Sequence, residues 1–102
     1  MKTRVLVVDD EPDIVRMVES RLVAHGYDVL TAGGGREALE KVRSFHPDII
    51  ILDVVMPEMG GEVVAGELRE RPETAKIPVI FLTAIVTEQE VAKSNIIGGR
   101  FV

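Results

Sequence analysis

The sequence feature that most limits the possible folds is the aliphatic run at residues 49–52, which is followed directly by Asp53. Four large aliphatic side chains in succession are typical of a strand buried on both faces, as in a parallel sheet covered by helices. A carboxylate is unfavourable inside such a strand, so we expect Asp53 where the strand emerges. Open α/β sheets place their functional sites at these strand ends. Asp53 is therefore a candidate functional residue; the alternative is that it only ends a strand or caps a turn.

Apolar strands and amphipathic helices alternate along the chain. The sequence predicts strands near residues 5–8, 27–31, 49–52, 77–82 and 100–102, and helices near 12–25, 36–45, 61–71 and 87–97. This alternation is typical of a parallel sheet with crossover helices. The first, third and fourth strands are strongly apolar and are predicted to be internal, whereas the second and fifth are predicted to be edges. The order 2-1-3-4-5 meets these conditions with right-handed crossovers. We expect one doubly wound α/β domain over residues 1–102.

Composition and length exclude several classes of function. The 102 residues carry a formal charge of −5, whereas a domain that binds nucleic acid needs a basic face. The chain has no cysteine and therefore no disulfide framework, thiolate nucleophile or cysteine metal site. The apolar run near the N-terminus is too short for a signal peptide or a membrane span. We expect a cytoplasmic protein that binds neither nucleic acid nor membrane directly.

Three acidic residues are predicted to meet at one edge of the sheet. Asp9 and Asp10 end the first strand, and the predicted order places that strand beside the one that ends at Asp53. Close carboxylates repel one another, and Mg²⁺ relieves this repulsion while it also binds water and phosphate oxygens. Phosphoryl transfer to Asp53 would then give an acyl phosphate, and Thr83 could offer its hydroxyl to a phosphoryl oxygen. The alternatives are a solvated acidic loop and a threonine that caps the next loop.

Three motifs occur in order along the chain. They are Val-Val-Asp-Asp-Glu-Pro at 7–12, Leu-Asp-Val-Val-Met-Pro at 52–57 with Gly61, and Pro-Val-Ile-Phe-Leu-Thr-Ala at 78–84. Together they resemble the receiver domain of two-component response regulators, which has a flavodoxin-like fold. The resemblance implies that Asp53 accepts a phosphoryl group from a sensor histidine kinase or phosphotransfer protein. It also implies that Asp10, Asp53 and the backbone carbonyl of Val55 bind Mg²⁺, with Asp9 assisting through water.

The resemblance further implies how the signal leaves the domain. Thr83 would be the switch hydroxyl, which moves toward the phosphoryl group. Phe101 would be the switch aromatic, whose ring turns inward when Thr83 moves. The signal would then pass to a downstream partner or to an effector domain beyond residue 102.

The chain departs from the family pattern at its C-terminal end. That pattern continues with a Lys-Pro pair and a fifth helix, neither of which follows Val102. The Lys normally pairs with the phosphoacceptor and its phosphoryl group, and Lys93 does not occupy the matching position. We therefore expect a truncated chain or a piece of a longer regulator. Because the missing helix would leave apolar sheet surface uncovered, we expect self-association or exchange of elements between copies. A naturally short, degenerate receiver is a second interpretation.

Three other functions are alternatives to a phosphorylation-controlled signalling module. Mg²⁺-dependent phosphatases that form an aspartyl phosphate have an Asp-x-Asp motif after the first strand. In this chain Val54 and Val55 follow Asp53, so no second acid is placed for general acid catalysis. A flavodoxin-like flavin binder needs a loop of hydroxyl and backbone N–H donors that binds the phosphate of the flavin. In this chain Asp9 and Asp10 stand in that loop, and their negative charges would repel a phosphate. A phosphorylation-independent interaction module is favoured only by the missing Lys. The leading hypothesis is a signalling module that is not a turnover enzyme.

Overall fold

The computed structural model describes residues 2–82, and every structural statement below concerns this part of the chain. It contains four strands and three helices, in strict alternation. They are β1 (Arg4–Val8), α1 (Pro12–Ala24), β2 (Asp28–Ala32), α2 (Gly35–Phe45), β3 (Ile49–Leu52), α3 (Gly61–Arg69) and β4 (Val79–Phe81). The predicted fourth helix and fifth strand, together with Thr83 and Phe101, lie outside the described residues.

The four strands form one parallel sheet in the order β2-β1-β3-β4. This order confirms the predicted arrangement for the strands that are described. Strands β1 and β3 are neighbours, and their register pairs Val8 with Leu52. The residues that follow these two positions are Asp9 and Asp53, so the winding of the sheet brings the two acids side by side.

Strand β4 is shorter than the sequence predicts. Pro78 has no backbone N–H to donate, although its carbonyl accepts a hydrogen bond from the Ile50 amide at 3.0 Å. The amide of Ile77 instead donates to the Thr74 carbonyl at 3.1 Å, within the turn that follows α3. Regular strand geometry therefore begins at Val79. Pairing continues one residue past the strand, because the Leu82 amide donates to the Leu52 carbonyl at 2.9 Å.

The hydrophobic core lies between the sheet and the two helices α2 and α3. Alternate residues of the central strands point to this side and are fully buried: Leu6, Val8, Ile50 and Leu52. The helices contribute small and branched side chains at helical spacing, among them Ala38, Val42, Val64, Ala65 and Leu68. The sheet is therefore held rigidly where β1 and β3 end.

Helix α1 covers the opposite face of the sheet and is less deeply packed. It contains no fully buried residue, whereas Val5 and Val7 of the adjoining strand are buried. Pro12 stands at its first turn, where the missing N–H costs nothing. Among residues 2–82, no helix combines the length and the apolar character that crossing a membrane requires. The predicted self-association concerns assembly and stays a prediction.

Candidate functional site

Asp9, Asp10 and Asp53 converge at the C-terminal edge of the sheet, as the sequence predicts. Each offers a carboxylate oxygen, and these oxygens lie within 4.8 Å of one another. Two backbone hydrogen bonds fix the positions of the acids. The Asp53 amide donates to the Val8 carbonyl at 2.9 Å, and the Asp9 amide donates to the Ala32 carbonyl at 3.1 Å. The acids therefore directly follow the two neighbouring strands β1 and β3, and the backbone of Asp9 is also hydrogen-bonded to the end of β2.

The three carboxylates differ in their contact with solvent. Asp9 is only 3% exposed, Asp53 is half-buried and Asp10 is exposed. Burial is the main reason that the pKa of Asp9 is raised from 3.8 to about 6. The Glu11 amide opposes this shift by donating to Asp9 Oδ1 at 3.0 Å, while the negative charges of Asp53 and Asp10 add to it. The site therefore holds more negative charge than the protein neutralises by itself.

A hard divalent cation suits this arrangement better than any other common ligand. Carboxylate oxygens are the ligands that Mg²⁺ prefers, and it commonly takes one or two of them together with water. Asp9 places a carboxylate in the buried part of the site, while Asp10 and Asp53 are in contact with solvent. Both sides of the donor set match the chemistry of a Mg²⁺ site that leaves positions open for phosphate oxygens.

Val55 lies beside the acids in the loop after β3. Its amide is 3.4 Å from Asp53 Oδ1, and its side chain is 80% exposed. The backbone of Val55 thus runs next to the Asp53 carboxylate, while the apolar side chain stays out of the site. The use of its carbonyl as a Mg²⁺ ligand stays a prediction.

The connection from Asp53 into α3 is unusually close. A Cβ added to Gly61 would lie 2.2 Å from the Asp53 carbonyl oxygen. The Gly61 amide also donates to the Val54 carbonyl at 2.8 Å, which closes the loop onto itself. Glycine at position 61 therefore lets the start of α3 pack directly behind the phosphoacceptor candidate. Gly61 belongs to the second sequence motif, and the structure supplies the physical reason for a glycine at this position.

Two crevices flank Asp10, and Gly33 lines both. One has a volume of about 250 Å³ and also contacts Arg36 and Met59. The other has a volume of about 280 Å³ and extends toward Arg16 on α1. Asp10 therefore lies between two open crevices, and Asp9 lines the second of them. The loop after β2 carries no residue of the predicted site, yet Gly33 of this loop lines both crevices.

Comparisons with known proteins agree with this geometry. The family model described as "Response regulator receiver domain" matches residues 5–100. The chain is 45% identical over 84 residues to the probable transcriptional regulator ycf27 of Pyropia yezoensis, a match that covers 82% of this chain and 33% of that protein. It is 43% identical over 84 residues to the alkaline phosphatase synthesis transcriptional regulatory protein PhoP of Bacillus subtilis (strain 168), with coverages of 82% and 34%. The chain spans about a third of the length of these curated relatives.

Solved structures show the same fold. The chemotaxis response regulator CheY4 of Vibrio cholerae superposes with a TM-score of 0.77 at 35% identity, covering 91% of this chain and 80% of that one. The N-terminal domain of a response regulator receiver protein from Methanoculleus marisnigri JR1 gives 0.77 at 36% identity, with coverages of 90% and 76%. The flavodoxin-like α/β fold and the predicted family are thereby confirmed. This chain belongs to the response regulator receiver domain family.

Proposed function

We propose that this chain is the phosphoacceptor domain of a two-component signalling system. In this proposal Asp53 accepts a phosphoryl group from a sensor histidine kinase or a phosphotransfer protein. The observation that carries the proposal is the convergence of Asp9, Asp10 and Asp53, whose carboxylate oxygens lie within 4.8 Å at the ends of neighbouring strands. The domain would be changed by one phosphoryl group and would relay a signal, which distinguishes it from an enzyme that turns over a substrate.

The chemistry assigned to Asp53 is nucleophilic attack. One of its carboxylate oxygens attacks the phosphorus, the bond from phosphorus to the donor breaks, and an acyl phosphate forms on Asp53. Its side chain is half-buried, so part of it is in contact with solvent, from which a phosphodonor can approach. Bound Mg²⁺ would offset the negative charge of the phosphoryl oxygens.

The residues proposed to hold Mg²⁺ are Asp10, Asp53 and the backbone carbonyl of Val55. Asp9 would assist through water, a role that rests on the family resemblance; its side chain is buried, whereas Asp53 is half-buried and Asp10 exposed. The raised pKa of Asp9 supports this assignment, since a cation would supply the positive charge that the surrounding protein lacks.

Thr83 and Phe101 are proposed as the switch residues, although both lie outside the described residues. The chain position of Thr83 supports its assignment. Leu82 directly precedes it and is hydrogen-bonded to Leu52, which directly precedes Asp53. Adjacent strands thus lead toward the phosphoacceptor and toward the proposed switch hydroxyl.

We also propose that the domain works in the cytoplasm and passes its signal to a partner or to an effector domain beyond residue 102. The relatives from Pyropia yezoensis and Bacillus subtilis are named as transcriptional regulators and are about three times longer than the matched region. Control of transcription is therefore the output that these relatives suggest. The formal charge of −5 makes direct binding of nucleic acid by this domain itself unfavourable.

Phosphorylation can be tested with a small-molecule phosphodonor, in the presence and absence of Mg²⁺, followed by intact-mass analysis. The wild-type protein should gain one hydroxylamine-labile phosphoryl group only when Mg²⁺ is present. Asp53→Asn should gain none, because an amide cannot act as the nucleophile. Equal labelling of the variant would show that Asp53 is not the acceptor.

The metal assignment can be tested separately with two exposed acids in the same loop. Asp10→Ala should weaken Mg²⁺ binding far more than Glu11→Ala, because only the Asp10 carboxylate lies in the acidic cluster. The two variants remove the same formal charge. A difference in Mg²⁺ affinity, measured by calorimetric titration, therefore reports direct binding by the carboxylate and not the loss of one negative charge near the metal. Equal weakening would remove Asp10 from the metal site.

A further inference from the structure

Three consecutive residues, the last two of β2 and the one that follows, each form a hydrogen bond with a different partner. The Thr31 carbonyl accepts from Lys41 Nζ at 2.6 Å, and the Ala32 carbonyl accepts from the Asp9 amide at 3.1 Å. The Gly33 amide donates to Glu37 Oε1 at 2.9 Å. Residues 31–33 are therefore hydrogen-bonded both to the backbone of Asp9 and to two side chains of α2.

Glu37 and Lys41 form an ion pair that closes this arrangement. Lys41 Nζ lies 2.7 Å from Glu37 Oε2, and the two residues are one helical turn apart on α2. Both side chains are partly exposed, so the pair itself adds little stability. The Lys41 ammonium and the Gly33 amide lower the pKa of Glu37, so its carboxylate is ionised at neutral pH. The importance of the pair lies in the backbone groups that it holds.

The end of β2 needs such support because it has few other constraints. Within residues 2–82, β2 pairs with β1 alone. The next three residues are glycines, which leave the backbone more freedom than any other residue type. Ala32 itself pairs with Val8 of β1 and is buried in the core, whereas Gly33 and Gly34 have neither constraint, so the contacts from α2 act where the strand passes into the loop. The Asp9 amide depends on the Ala32 carbonyl, and Gly33 lines both crevices beside Asp10.

We propose that Glu37 and Lys41 are positioning residues for the acidic site, which act by holding the end of β2 in place for Asp9. They touch neither the metal nor the phosphoryl group. A metal site depends on outer residues that orient its ligands, and changes of such residues weaken metal binding while the ligands remain. The metal-binding part of this inference rests on the proposed function, whereas the structural part does not.

The test uses three substitutions on α2. Glu37→Ala removes both the acceptor of the Gly33 amide and the partner of Lys41. Glu37→Gln keeps an acceptor for the amide but loses the charge. Glu40→Ala is the matched control, because it removes the same charge from an exposed position on the same helix.

Amide hydrogen exchange and Mg²⁺ titration give two independent measurements. We expect Glu37→Ala to speed exchange of the Asp9 amide several-fold and to weaken Mg²⁺ binding by less than about tenfold, because tenfold is the smallest effect typical of residues that contact a ligand directly and Glu37 acts on Asp9 only through Gly33 and Ala32. Glu37→Gln should lie between this variant and the wild type, and Glu40→Ala should match the wild type in both measurements. The Gly33 amide loses its own acceptor in Glu37→Ala, so the Asp9 amide is the informative one.

Unchanged exchange at Asp9 in Glu37→Ala would overturn the inference. Faster exchange with unchanged Mg²⁺ affinity would overturn it as well, because the pair would then stabilise β2 without acting on the site. A wild-type protein that binds no Mg²⁺ would contradict the proposed function instead. In that case the exchange of the Asp9 amide still decides whether the pair positions Asp9.

Discussion

Gly61→Ala tests the close packing between Asp53 and the start of α3. The added Cβ would lie 2.2 Å from the Asp53 carbonyl oxygen and 3.0 Å from both the Asp53 carbonyl carbon and the Val54 Cα. All three atoms belong to the backbone, so no side-chain rotation can relieve the contact. Favourable contacts between non-bonded heavy atoms lie at about 3.5–4.0 Å. Either the end of β3 or the start of α3 must therefore move by about 1 Å.

Two opposing effects decide the sign of the stability change. Alanine is favoured over glycine inside a helix by up to about 1 kcal/mol. Backbone shifts forced by an added methyl group typically cost about 1–3 kcal/mol. Because the crowded atoms are backbone and flank a packed core, we expect the steric cost to exceed the gain. The predicted net loss in the free energy of unfolding is about 1–2 kcal/mol.

Gly66→Ala is the matched control, since it makes the same substitution in the same helix. No heavy atom outside the local helix lies within 4 Å of a Cβ at position 66. This variant should therefore gain up to about 1 kcal/mol. Urea unfolding followed by circular dichroism gives both values. If Gly61→Ala is stabilised as much as Gly66→Ala, the structure is wrong about the approach of α3 to Asp53.

Two further predictions concern ionisation and backbone strain near the site. The pKa of Asp9 is about 6 in the folded protein against an ordinary value of 3.8, so its ionisation opposes folding. In metal-free buffer its contribution to stability should be fully present below pH 4 and lost as the pH rises through 6. Asp9→Asn should accordingly be more stable than the wild type by up to about 3 kcal/mol at pH 7, and urea unfolding across this range should show the difference shrinking toward pH 4. If Asp9→Asn and the wild type differ by the same free energy of unfolding at pH 7 and at pH 4, the pKa of Asp9 is not raised by burial. Glu58 has a left-handed φ of 70°, so Glu58→Gly should raise the free energy of unfolding by about 0.5–1 kcal/mol, and a decrease would show that this conformation carries no strain.

The sheet and the acidic cluster could be predicted because they depend on a few unambiguous patterns. The aliphatic runs of β1 and β3 are typical of strands buried on both faces. The strict alternation of strands and helices, with right-handed crossovers, leaves few possible strand orders. Once β1 and β3 are neighbours, Asp9 and Asp53 must emerge together. Their meeting therefore follows from topology and needs no knowledge of individual side-chain contacts.

Other parts of the site depend on tertiary detail that local patterns do not contain. The spacing of Glu37 and Lys41 indicates an ion pair on α2, but not that the pair also holds the backbone of β2. The left-handed conformation of Glu58 is imposed by the loop that contains it, because this residue type does not favour that conformation. The late start of β4 likewise reflects the turn in which the Ile77 amide donates to the Thr74 carbonyl. In each case the local structure depends on how the chain folds around the residue, and not on the preference of its residue type.

The most direct test of the central claim is to locate the phosphoryl group after reaction with a small-molecule phosphodonor and Mg²⁺. Borohydride reduction converts an acyl phosphate into a stable alcohol, and peptide mass spectrometry then identifies the modified residue. We predict a single modified position, Asp53, whose carboxylate is accessible beside the buried Asp9. Modification at Asp9, Asp10 or a glutamate, with Asp53 unmodified, would contradict the account.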